Sequence, residues 1–319
     1  MRRSDFDVTD SIRTTDARAV AAEVLRLFKE LYDGASTLAL ETAFADAAAL
    51  YRGERAEYHA CDTAYHDIQH VLDVTLAMAR LLDGYERRRN GDPKLGPEIF
   101  VVGVLAALFH DFGYLRRRRD RLHRFGAEYT LTHVSRGADF LRRYMKQPGL
   151  GHLSTAASTL VHFTGYERPV ETIRLKDDLL RRVGQMLGTA DIIAQMSDRC
   201  YLEKCRDRLF GEFVLGGLAG RKLASRRSLP FFTSGDELVH KTPGFYENAS
   251  RRLDLQLARA YEYAGRHFGG QNLYLDEIHK NISHARRVAE TPGTVVLRRQ
   301  PPSTLAPHVQ PFPTDLVNL

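Results

Sequence analysis

Residues 99–113 read IFVVGVLAALFHDFG, and the junction where this apolar run meets His110 and Asp111 decides how the rest of the chain is understood. Ile99 to Phe109 is the longest apolar run in the sequence. Its eleven residues fall well short of the roughly 20 that a membrane helix needs, so no membrane association is expected. Pro97 stands where the first turn of a helix tolerates proline, and the run behind it predicts a helix buried on every side. A carboxylate and an imidazole at the end of such a helix are costly unless something pairs with them. A divalent cation is such a partner, reached by two neighbouring ligands from one turn. A helix end that simply meets water would also accommodate them.

Outward from this stretch, helical spacing dominates and no sustained strand alternation occurs. Val20, Val24, Leu25, Phe28 and Leu31 form an apolar stripe over 17–32, and Val74, Met78, Leu81 and Leu82 continue the pattern over 66–85. Further helices are expected at 127–144, 155–162, 179–208, 236–268 and 275–288, with glycines and prolines between several of them. The chain is therefore read as all-α: a helical extension over 1–50, a helical domain over 51–290 and a Pro-rich tail over 291–319. The last 28 residues hold half of the twelve prolines, which predicts an extended or disordered tail.

With 43% hydrophobic and 27% charged residues, the 319-residue chain has the make-up of a soluble globular protein. The start, MRRSDFDVTD, has no apolar core of a secretory signal. Three cysteines without metal-finger spacing fit a reduced, cytoplasmic setting. Much of the net charge of +6 is local: residues 116–124, RRRRDRLHR, hold six arginines and one acid. Such a run is either a solvated loop or an electrostatic lip that draws in a polyanionic substrate, with Arg116 and Arg117 as the contacts. No recognition motif or interleaved aromatics accompany it, so no nucleic-acid partner is expected. A homodimer is left open.

Two more islands carry chemistry. YHDIQH (residues 65–70) places His66 and His70 four apart, on one face if the segment is helical. A pair of half-buried, hydrogen-bonded histidines is the plainer reading. GTADIIAQMSD (188–198) sets Asp191 among Ala190, Ile192, Ile193 and Met196. A lone buried carboxylate needs a cation or several donors.

Each island alone is ambiguous. Their order, H…HD…D on three predicted helices, resembles the HD superfamily of metal-dependent phosphohydrolases over about residues 65–208. YHDIQH, FHD and TAD also resemble the catalytic domain of helical cyclic nucleotide phosphodiesterases. That resemblance implies an HD-type helical bundle in which His66 is the acid and His70, His110, Asp111 and Asp191 hold a divalent ion, with Asp111 also serving the reacting water. Water on such an ion has its pKa brought from about 15.7 towards about 7, which provides hydroxide near neutral pH. More weakly, the chain resembles HD-GYP domains, and this implies that His133 and His162 complete a second metal site. Mn, Fe, Mg and Zn are not distinguished.

Two departures stand out. Tyr114 occupies the position where phosphodiesterases have another histidine and HD-GYP proteins a lysine. No glutamine of the kind that orients a purine occurs around 242–248, where Phe245 and Tyr246 stand. The resemblance implies a phosphodiesterase acting on a small phosphorylated substrate, a cyclic or linear nucleotide. A nucleotidase of the same fold and a non-catalytic nucleotide-sensing module are the alternatives.

Overall fold

Apolar side chains on all faces leave residues 96–109 no stable place but the interior, and α4 (Gly96–Phe109) is the central helix, buried from Phe100 to Phe109 with Pro97 in its first turn. The computed structural model describes residues 2–87, 91, 93–147, 149–219, 232–291 and 297–309. Among these there is no strand, only two isolated bridges, and the fold is all-α. Gly96–Tyr114 is long and apolar enough to cross a membrane by length and composition, yet 78% of its most apolar window is buried in the protein. Its apolarity is used in core packing.

On the N-terminal side, α1 (Ala17–Leu31) is capped by Asp16, which accepts from the Arg18 N–H at 2.9 Å. It lies on α3 (Ile68–Arg87), and α2 (Leu38–Tyr51) packs on α1 and α4. Val24, Phe28, Leu40 and Phe44 share one core with Leu72 and Leu105, so these two helices pack as part of the same body. α5 (His133–Tyr144) and α6 (Ser154–Val161) follow, and then α7 (Asp178–Ser197), which packs along α3. The chain continues through α8 (Tyr201–Lys204), α9 (Phe210–Leu215), α10 (Gly235–Arg251), α11 (Glu262–His267) and α12 (Leu273–Glu290).

Several boundaries differ from the periodicity. α3 begins at Ile68 rather than His66, because the Asp67 side chain accepts from the His70 N–H at 3.0 Å in the manner of an N-cap. The helix expected at 127–144 is a 3-10 turn, Gly126–Tyr129, followed by α5. The one expected at 179–208 stops at Asp198, whose backbone turns extended and whose carboxylate pairs with buried Lys204 Nζ at 2.6 Å. Asp198 is thus an internal charge. The 236–268 segment breaks after a π turn (Arg252–Gln256), where Ala258 and Arg259 take positive φ.

The described part of the tail, 297–309, runs without helix or strand and lies against the domain. Arg208 donates to the carbonyls of Pro301 and Pro302 at 2.8 and 2.9 Å, and Thr304 donates to Asp67 at 2.6 Å.

Candidate active site

α4 delivers its polar end into a five-residue 3-10 turn, His110–Tyr114. The tighter winding lets adjacent His110 and Asp111 face one point. α5 crosses this turn closely enough that a Cβ on Gly113 would lie 1.8 Å from the His133 carbonyl oxygen, and one on Gly137 2.4 Å from that of His110. Only glycine fits at these two crossings, and through them His133 comes to 3.6 Å from Asp111 Oδ1.

The first turn of α3 and the middle of α7 supply the other members. His70 Nε2 lies 3.2 Å from Asp111 Oδ2 and 3.5 Å from Asp191 Oδ1. His110 Nε2 lies 3.3 Å from Asp111 Oδ2 and 3.9 Å from Asp191 Oδ1. Ligand atoms of His70, His110 and Asp191 all lie within 4.8 Å of one another. His110 Nδ1 donates to the Ala107 carbonyl at 2.7 Å, which leaves the Nε2 lone pair facing the centre. His133 Nδ1 does the same with Thr130, at 2.6 Å.

These groups pass a test for a cation. His110 Nε2 and Asp111 Oδ2 are buried and have no hydrogen-bond partner among the described residues. Orphaned polar atoms of this kind are costly, and a divalent ion satisfies both together. Two imidazoles and two carboxylates suit first-row divalent metals. Burial opposes the charge on Asp111, but His110 and His70 against it hold its carboxyl well below the usual range. Burial likewise opposes protonation of His110, yet Asp111 and Asp191 lift its pKa to about 9. A proton and a cation therefore compete for the same centre.

His66 sits outside helix α3, on the segment that enters it. Its ring still lies 5.6 Å from that of His70, centroid to centroid. It donates from Nδ1 to Glu212 Oε2 at 2.5 Å, and Glu212, fully buried, accepts the Tyr65 N–H at 2.6 Å on its other oxygen. Burial disfavours charge on His66, but the Glu212 carboxylate outweighs it and its pKa is raised. On its other face His66 stacks on Tyr114 at 4.4 Å, and Tyr114 stacks on His133 at the same distance. Burial drives the Tyr114 phenol well up, so it stays protonated. His133 is held neutral by burial.

The three remaining sequence candidates, His162, Arg116 and Arg117, do not line the cavity above the site. His162 is buried but turns Nδ1 to Glu167 at 2.8 Å, and it is Glu167 that lines the cavity above the site. Arg116 points inward, bonded to Asp62 at 3.2 Å and to the His123 carbonyl. Arg117 lines a different cavity. The expected arginine lip is not at this site, because pairing with Asp62 turns Arg116 away from it.

Glu212 and Gln195 are neighbours of these groups for which the sequence raised no expectation. Gln195 donates to Asp191 at 3.3 Å and accepts from the Tyr65 hydroxyl at 3.0 Å. Glu212 carried the same signal as Asp191, a single acid inside LFGEFVLGG. The cavity has a volume of about 750 Å³, with His66, His70 and Asp191 at one end and Phe213, Leu238 and Phe245 on its wall.

No protein-family model matches the sequence, and no curated protein does. Two solved structures are similar. The phosphodiesterase domain of the RhoPDE fusion protein from the choanoflagellate Salpingoeca rosetta aligns with TM-score 0.53 and 16% identity, covering 90% of this chain and 95% of that one. The phosphodiesterase domain of Salpingoeca rosetta rhodopsin phosphodiesterase aligns with TM-score 0.52 and 16% identity, covering 90% and 92%. The all-helical fold of this chain is thus that of phosphodiesterase domains.

Proposed function

We propose that the chain is a metal-dependent phosphodiesterase that hydrolyses a nucleotide phosphodiester. The observation that carries this reading is the pair of orphaned buried atoms, His110 Nε2 and Asp111 Oδ2, that meet His70 and Asp191 at the base of a cavity. A divalent cation held there supplies Lewis acidity to a water and to a phosphoryl oxygen. The chain's own groups do the rest. Ala107 fixes the His110 tautomer, and Gln195 steadies the Asp191 carboxylate. Glu212 fixes the His66 ring and favours its protonated form, so that Nε2 carries a proton for the leaving oxygen. A volume of about 750 Å³ falls within the roughly 300–1,000 Å³ of small-molecule sites. Its apolar wall suits the sugar and base.

Metal analysis of purified protein, with a hydrolysis screen of cyclic and linear nucleotide diesters and of monoesters, tests the reading. Wild type should carry a divalent metal and cleave a diester, and Asp111→Ala and Asp191→Ala should lose both. Wild-type metal content in both variants would sink the quartet, and cleavage of monoesters alone would sink the diesterase assignment.

A further inference from the structure

The arginine run that does not serve the catalytic cavity builds a cavity of its own. Segment 57–59 pairs with 116–118: the His59 N–H donates to the Arg116 carbonyl at 2.9 Å and the Arg118 N–H to the Glu57 carbonyl at 2.9 Å. An antiparallel bridge joins Tyr58 to Arg117. Asp120 N–H then donates to the Arg117 carbonyl at 2.9 Å, closing a tight turn with Arg118 and Arg119 at its corners. The run is therefore a held structure at this point, not a loose solvated loop.

Arg117, Arg118 and Arg119 line a cavity of about 670 Å³, and so does Arg55. Tyr58 and Phe140 line it as well. Its two acids are Asp46, already paired with Arg55 and accepting from the Tyr144 hydroxyl, and Glu57. No ion pair to Arg117, Arg118 or Arg119 is found among the described residues. Arg118 reaches only the Gly53 carbonyl at 3.3 Å, and Arg117 lies 5.9 Å over the Tyr58 ring.

Three permanently charged forks inside one four-residue turn repel one another, and a ligand with several negative charges relieves that repulsion. Guanidinium forks match phosphate oxygens bidentately. A single carboxylate serves one fork; a chain of phosphates serves all three. We infer that this cavity binds a small molecule carrying two or more linked phosphates, at a site distinct from the catalytic one. The two cavities are divided by rings: Tyr58 packs edge-on against Phe112 at 5.0 Å, and Phe112 directly follows Asp111.

Calorimetric titration of chelator-treated, metal-free protein with tripolyphosphate and with ATP tests this independently of the catalytic reading. Both should bind once per chain, with affinity falling steeply with salt. The double variant Arg117→Ala/Arg119→Ala should weaken binding at least 10-fold, and Asp111→Ala should leave it unchanged. Arg117→Lys/Arg119→Lys, which keeps the charge and loses the forks, should fall between wild type and the alanine variant. Circular dichroism of each variant checks that the fold is intact. Absence of saturable binding at low salt, or equal affinity in wild type and the alanine double variant, would overturn the inference.

Discussion

Replacing Glu212 by Gln should separate proton donation from every other task of the site. Gln keeps an acceptor for the Tyr65 N–H and a partner for His66, so the geometry survives; what goes is a buried negative charge 2.5 Å from the imidazole. An opposite charge within about 4–6 Å shifts a pKa by about 1–3 units. Because Glu212 is fully buried and the contact is short, its loss lowers the His66 pKa. Asp111 and Asp191 still favour the charged ring, but with its nearest carboxylate gone burial lowers the protonated fraction. Each unit below the working pH costs about tenfold in protonated fraction. Turnover of a diester with an alkoxide leaving group should drop about 10–10²-fold. The basic limb of its pH–rate profile should move to lower pH. Bis(4-nitrophenyl) phosphate, whose leaving group needs no proton, should be cleaved almost as before. Equal losses on the two substrates, or loss of metal from the variant, would refute His66 as the acid oriented by Glu212.

Three further outcomes follow from the geometry. Gly113→Ala should cost about 1–3 kcal/mol in urea unfolding and lower metal content, since its Cβ would strike the His133 carbonyl; unchanged stability and metal would mean that α5 does not need this crossing. His133→Ala should change metal stoichiometry or activity, and His162→Ala should change neither by way of a ligand, because of these two His133 lies 3.6 Å from Asp111 while His162 pairs with Glu167; metal analysis showing the reverse would restore His162 as a ligand. Asp73, whose pKa is pushed up to about 8 by burial and by Asp198, binds a proton in the folded state that the unfolded chain releases near its ordinary value. Its contribution is present below about pH 4 and lost as pH rises through about 8, so Asp73→Asn should flatten the decline in stability between those limits; parallel wild-type and variant curves of thermal midpoint against pH would exclude it.

What could be read from the sequence rested on local signals. The apolar run 99–109 predicted a buried helix, and the polar pair at its end called either for a partner or for water. Asp191 declared itself in the same way, a charge among residues that bury on several faces. Hence the all-helical class was legible in the sequence, whereas the grouping of His70, His110, Asp111 and Asp191 was implied only by the resemblance of H…HD…D to metal-dependent phosphohydrolases. Tertiary structure alone decided the rest. His66 left helix α3 because the Asp67 side chain capped the helix behind it. Its partner Glu212 lies 146 residues away in sequence. His162 turned to Glu167, and Arg116 to Asp62. Periodicity reports which residues must be buried, because burial of apolar area is local and additive along a helix. Which polar group meets which is set by packing between distant segments, since a hydrogen bond or ion pair acts only within a few ångströms and only the fold brings its two ends together.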